Sequence, residues 1–189
     1  MNQPKVTVLA GPTSVGKSTM SRFIRETYPQ VCFSVSATTR DPRPGEADGV
    51  DYHFVPSAEF DRLIGEDAFL EWATVHGRHR YGTLRSTVEE ALSAGRSVLL
   101  EIDLQGARQV RRSMPEAQFV FLSPPSWDEM VARLTGRGTE SAEDQQRRLE
   151  TASMELAAES EFDVTVVNDD LDRAAAELVA LMGFQRNAV

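Results

Sequence analysis

Residues 11–18, Gly11-Pro12-Thr13-Ser14-Val15-Gly16-Lys17-Ser18, match the pattern G-x-x-x-x-G-K-[ST]. The chemistry of that pattern is phosphate binding. Glycines let the backbone wrap an anion, and successive N–H groups and a helix N-terminus then face it. A lysine reaches the β- and γ-phosphates, and a serine hydroxyl ligates Mg²⁺. Lys17 and Ser18 take those places, with Thr19 next in line. The motif requires a strand before it and a helix after it. An apolar run, Val6–Ala10, and a helix-period segment from Lys17 to about Glu26 meet that condition.

A second polar stretch, Ser34 to Tyr52, carries Arg40 and Arg43 three residues apart, with Ser36 and Tyr52 at its ends. Two arginines can grip one phosphate from two sides, because each planar fork donates paired hydrogen bonds. A solvated basic loop fits the same residues.

The elements that must position these groups alternate between strand-length apolar runs and helix-period segments, the mark of βαβ units around a parallel sheet. Strands are expected at Val6–Ala10, Val31–Val35, Ser97–Ile102, Gln118–Ser123 and Val164–Val167. Shorter strand-like pieces fall at Tyr52–Phe54 and Phe69–Val75, around a helix near Ala58–Ile64. Ser86-Thr-Val-Glu89 reads as a capping box that opens a helix closed by Gly95. A further helix spans Leu104–Met114. Ser126-Trp-Asp-Glu129 is a second capping box, followed after Thr135-Gly-Arg-Gly-Thr139 by a long polar helix to about Glu159. The last helix covers Leu171–Met182. Trp127 and the apolar residues of the long helices read as core.

With 189 residues, a single cysteine and a formal net charge of −9, the chain reads as one domain without internal disulfides. The charge argues against a general nucleic-acid or membrane-surface binder. No signal-like N-terminus and no bilayer-length apolar run is seen, so a cytoplasmic protein is expected.

In the order Ser36, Arg40, Arg43, Tyr52, then Glu71-Trp-Ala, Tyr81-Gly-Thr83, Glu101-Ile-Asp103-Leu-Gln-Gly-Ala107, Arg137-Gly-Thr, Arg148 and Val167-Asn-Asp-Asp170, the sequence resembles the guanylate kinase family over residues 6–183. The resemblance implies a P-loop α/β fold with three layers, a parallel sheet core, an inserted acceptor-binding lobe and a helical lid. It divides the chain into a core of 1–35, 84–123 and 161–189, a GMP lobe of 36–83 and a lid of 124–160. It implies transfer of the γ-phosphoryl group of ATP to GMP or dGMP with Mg²⁺ as cofactor. ATP and GMP are the expected partners, nucleic acid and membrane are not, and homo-oligomerisation is left open.

By the same resemblance, Ser36, Arg40, Arg43, Tyr52 and Tyr81 hold the GMP phosphate, and Glu71, Thr83 and Asp103 hold the base. Arg133, Arg137 and Arg148 act from the lid with Lys17 and Arg40, and Asn168 and Asp169 border the adenine. The Glu71 assignment has its own chemical sense: guanine presents N1–H and N2–H₂ on one edge, and a carboxylate offers two adjacent acceptors. Without the resemblance Glu71 reads equally as an exposed strand carboxylate. Asp103 can also be a helix N-cap, and Arg148 a helix-surface residue beside Arg147.

Two departures stand out. Ser14 occupies a place where the family more often has glycine, and the loop Gly77-Arg78-His79-Arg80-Tyr81 is one residue longer than the commonest form. His76, Arg78, His79 and Arg80 read as a solvated loop, with a metal or anion site as the alternative. Competing functions are a P-loop kinase for another phosphorylated metabolite, which Glu71 and Thr83 disfavour, and a non-catalytic partner-binding module, which Lys17 and Ser18 disfavour.

Overall fold

The computed structural model describes residues 3–75, 78–135 and 142–184, with the side chains of 133–135, 142–145 and 148 outside that description. Five consecutive buried residues form β1, Val6–Ala10. It pairs in parallel with β7, Val98–Glu101, on one side and with β8, Gln118–Ser123, on the other. A two-residue β2, Cys32–Phe33, flanks β7, and β9, Val164–Val167, flanks β8. The order is β2-β7-β1-β8-β9, all parallel.

Such a sheet is covered on both faces, which is why its strands read as unbroken apolar runs. Side chains alternate between two cores. Val6, Val8, Ala10, Leu100, Phe119 and Phe121 face α3 (Arg85–Ser93) and α4 (Leu104–Ser113). Leu9, Leu99, Val120 and Leu122 face α1 (Lys17–Thr27) and α7 (Leu171–Leu181). This is the three-layer α/β arrangement expected.

A second sheet, of order β4-β3-β6-β5, is built from β3 (Ala37–Thr38), β4 (His53–Phe54), β5 (Phe69–Val75) and β6 (His79–Leu84). Helix α2, Ser57–Gly65, covers it by seating Phe60 against Phe69, with ring centroids 4.5 Å apart. Beyond β8 lie α5, Trp127–Thr135, and α6, Ala142–Ala157, joined through a small core of Met130 and Ala152.

The structure corrects the sequence reading at several points. His79 and Arg80 belong to a strand, His79–Leu84, rather than to a solvated loop. Their polar side chains hide the pattern, but β5 and β3 pair with the strand on either edge. Arg80 bonds Asp61 and the Ser57 carbonyl, with its guanidinium 4.8 Å from the Phe60 ring centre. Helix α3 starts at Arg85, two residues early, so Ser86 lies inside it and Leu84 takes the N-cap place without a side-chain cap. The strand expected over Val31–Val35 keeps only Cys32–Phe33, because β2 reaches just two residues of β7. Trp127 is 41% exposed and Met154 68% exposed, so neither is core. The α5–α6 pair packs on its inner face, and nothing among the described residues buries its outer one.

The other helix signals hold. Gly95, at φ 74°, closes α3 with N–H bonds from Gly95 to Leu92 and from Arg96 to Ala91. Ser126 Oγ accepts from the Glu129 N–H at 3.2 Å.

Candidate active site

The phosphate loop leaves β1 under tight constraint from β8. A Cβ on Gly11 would meet the Leu122 carbonyl oxygen at 2.3 Å, so only glycine passes there. Gly16, at φ 103°, ends the loop in a left-handed conformation and starts α1 with no side-chain cap. The first N–H groups of α1 are thus left for an anion. Ser14 also has a positive φ, 62°. That explains the family's preference for glycine at this place, because a Cβ is disfavoured in that region.

The end of β9 supports the loop from below. Asn168 is buried and donates through Nδ2 to the Val15 carbonyl at 2.8 Å. Asp169 pairs with Arg173 of α7 at 2.5 Å.

Three carboxylates gather round this loop and its helix. Lys17 Nζ donates to the carbonyls of Gly11 at 2.6 Å and Pro12 at 3.1 Å. Burial lowers its pKa from the ordinary lysine value, against the opposing pull of Glu155, Glu101 and Asp103. Ser18 Oγ donates to Glu101 Oε1 at 2.8 Å. Glu155, from α6, accepts the Thr13 N–H at 2.6 Å, so a carboxylate of that helix holds an amide of the loop. Sequence reasoning placed Glu101 only within a strand-end motif and missed Glu155. The signal for Glu101 was its place at the end of β7, opposite Leu9 of β1. Glu155 sits 142 residues from Thr13 in a polar helix and gave no signal.

On the second sheet, Glu71 and Thr83 are register partners across β5 and β6. Both are buried, and Thr83 Oγ1 donates to Glu71 Oε1 at 2.7 Å. Burial pushes the Glu71 carboxyl above its usual pKa range; the Thr83 hydrogen bond opposes that and the Asp103 charge adds to it. Asp103 caps α4, accepting the Gly106 N–H at 2.7 Å, while standing at the carboxyl end of β7 where such sheets bind ligands. A Cβ on Gly106 would lie 3.1 Å from Glu71 Oε2 and 3.4 Å from Asp103 Oδ1, so both carboxylates converge on this glycine.

Arg40 sits with its guanidinium 5.4 Å from the Tyr52 ring centre, and Tyr52 packs edge-on to Tyr81 at 5.8 Å. The structure therefore brings Tyr81 to the arginine despite the longer loop before it. Arg40 is not free: Glu46 takes both its Nη groups, at 3.0 and 2.9 Å, and accepts the Arg43 N–H at 2.7 Å. The pairing raises the Arg40 pKa and lowers that of Glu46. Sequence reasoning missed Glu46. The Arg43 side chain is exposed, and Ser36 accepts the His53 N–H through its carbonyl at 2.9 Å. Among the described residues, His79 included, no cluster of His, Cys, Asp and Glu could hold a metal; His76 lies outside them. Arg137 also lies outside the described residues. Arg133 and Arg148 fall on α5 and α6, but their side chains are not described.

Comparison with known proteins converges on one family. The guanylate kinase family description matches residues 3–184. The chain is 66% identical to a guanylate kinase of Leifsonia xyli subsp. xyli over 93% of its own length and 69% of that protein's. It is 62% identical to one of Thermobifida fusca, covering 96% and 92%. The crystal structure of guanylate kinase from Anaplasma phagocytophilum superposes with a TM-score of 0.70 at 30% identity, covering 97% of this chain and 86% of that one. Likeness of this extent, in sequence and in fold together, means that the chain belongs to the guanylate kinase family.

Proposed function

We propose that the chain carries out ATP-dependent phosphorylation of GMP, and of dGMP, with the labour divided as follows. Residues 11–19 hold the phosphates of ATP, and Lys17 exchanges its two carbonyl contacts for phosphate oxygens. Ser18 and Glu101, joined at 2.8 Å, are adjacent hard oxygen donors of the kind Mg²⁺ takes. The ion, when bound, neutralises phosphate charge. Arg40, Arg43, Ser36, Tyr52 and Tyr81 receive the GMP phosphate, and Glu71, Thr83 and Asp103 read the base. Residues 36–83 act as the acceptor lobe and 124–160 as a lid that brings Arg133, Arg137 and Arg148 to the donor, where Asn168 and Asp169 border the adenine. The core is 1–35, 84–123 and 161–189.

An oxygen of the GMP phosphate bonds to the γ-phosphorus as the bond from that phosphorus to the β,γ-bridging oxygen breaks. GDP and ADP leave. Such a transfer needs positioning and charge neutralisation rather than covalent help. No helix among the described residues is long and apolar enough to cross a membrane.

The observation that carries this reading is the buried Glu71 carboxylate, bonded by Thr83 and backed by Asp103. A buried acceptor pair of this kind suits the N1–H and N2–H₂ edge of guanine and meets a lone pair on adenine. The test is ADP release with GMP, dGMP, AMP, CMP and UMP in parallel. GMP and dGMP are expected to be used, with AMP about 10⁴-fold poorer in kcat/KM. Comparable use of AMP would overturn the reading.

A further inference from the structure

β5 is the end strand of its sheet, so among the described residues its outer edge has no strand partner. Such an edge leaves backbone N–H and C=O groups in need of partners. Helix α4 supplies them from side chains one turn apart. Gln109 Oε1 accepts the Trp72 N–H at 3.1 Å, and Gln109 Nε2 donates to the Trp72 carbonyl at 2.9 Å. Ser113 Oγ donates to the Leu70 carbonyl at 2.7 Å. The amide of Gln109 thus imitates a neighbouring strand, exchanging both bonds with one residue.

The residue between Leu70 and Trp72 is Glu71. Its own ladder partner is Thr83 on the opposite edge, and the β5–β6 register shifts between Phe69 and Glu71. The ladder is therefore irregular immediately before the carboxylate that matters most, and an irregular ladder leaves a strand freer to twist. Gly106, one turn before Gln109 on α4, leaves the notch into which Glu71 Oε2 fits.

We infer that α4, through Gln109, Ser113 and Gly106, is the positioning device for guanine recognition: it clamps β5 on both sides of Glu71 and sets where the carboxylate meets the base. This rests on the reading of Glu71 given above. None of the three is among the residues proposed to read the base: Gln109 and Ser113 act through Glu71, and Gly106 through Glu71 and Asp103.

The experiment compares kcat/KM for GMP with that for inosine monophosphate, which lacks only the 2-amino group the carboxylate would bind. Gln109→Leu keeps the side-chain bulk and removes both bonds to Trp72. It is expected to shrink the GMP preference about tenfold, the scale of one or two hydrogen bonds, with KM for ATP unchanged. A role in stability alone would lower the use of both acceptors alike and leave their ratio unmoved. Gly106→Ala favours the helix intrinsically but crowds Glu71 Oε2, Ile102 and Asp103, so it should shrink the preference whichever way Tm moves. In a Glu71→Ala background, Gln109→Leu should change the ratio no further. If Glu71→Ala abolishes the preference while Gln109→Leu and Gly106→Ala both keep it, α4 is not the positioning element. If Glu71→Ala itself keeps the preference, the reading of Glu71 falls and takes this inference with it.

Discussion

The bond from Thr13 N–H to Glu155 makes a sharp prediction about ATP binding. Thr13 lies within the loop proposed to receive the phosphates; on that proposal bound ATP and the Glu155 carboxylate compete for its amide. At 2.6 Å the contact is charge-assisted, but Glu155 is only half-buried. A net worth of about 1.5 kcal/mol, the low end for hydrogen bonds to charged groups, is the appropriate figure. That corresponds to about a tenfold excess of the occupied over the free loop. A ligand that needs the minor form binds more weakly by the same factor. Glu155→Ala should therefore tighten ATP binding about tenfold. Glu155→Gln, which keeps an acceptor without the charge, should fall between. Alanine suits a helix interior, so α6 is not expected to suffer. The assay is calorimetric titration with a non-hydrolysable ATP analogue and Mg²⁺, without acceptor, with a parallel GMP titration that should not change. Unchanged or weaker ATP binding in Glu155→Ala would refute the competition and mean that the carboxylate stays on the loop beside the nucleotide.

Lys17→Met removes the loop's cation at nearly constant length; turnover should drop about a thousandfold with the circular dichroism spectrum unchanged, and an active variant would sink the assignment of the loop. Ser14→Gly relieves a positive φ of 62°, a gain of about 1 kcal/mol partly offset by the looser unfolded chain; Tm should rise by about 1–2 °C, and a fall would show that Ser14's own contacts outweigh the strain. Glu71→Gln tests the raised carboxyl pKa. A raised folded-state value favours the neutral form, so its stability contribution is present below the ordinary glutamate range, about 4.3, and is lost as pH rises through the folded value. The neutral variant should melt above wild type near neutral pH, with the difference shrinking on acidification, while GMP use falls. Equal melting at every pH would show that burial does not penalise this charge.

The phosphate loop is legible in the sequence because its demands are local: contiguous residues 11–18 set the wrap, and strand and helix signals flank them. Strands β1, β5, β8 and β9 are likewise readable, since hydrophobic runs of strand length need only their own residues to declare themselves. Strand β6 is not, because His79, Arg80 and Tyr81 become a strand only through pairing with β5 and β3 and through the ties of Arg80 to α2. Trp127 fails in the opposite sense, as burial depends on what lies opposite a side chain rather than on its hydrophobicity. The second partners in the site are beyond sequence for the same reason. Glu46 on Arg40, Glu101 on Ser18, Glu155 on Thr13 and Gln109 on Trp72 are pairings of groups that many neighbours could satisfy equally well. Sequence determined which chemistry each segment carries, through residue type and local backbone geometry. Tertiary packing alone decided which polar groups meet, because a buried or edge-exposed donor takes the acceptor that the fold brings within about 3 Å of it.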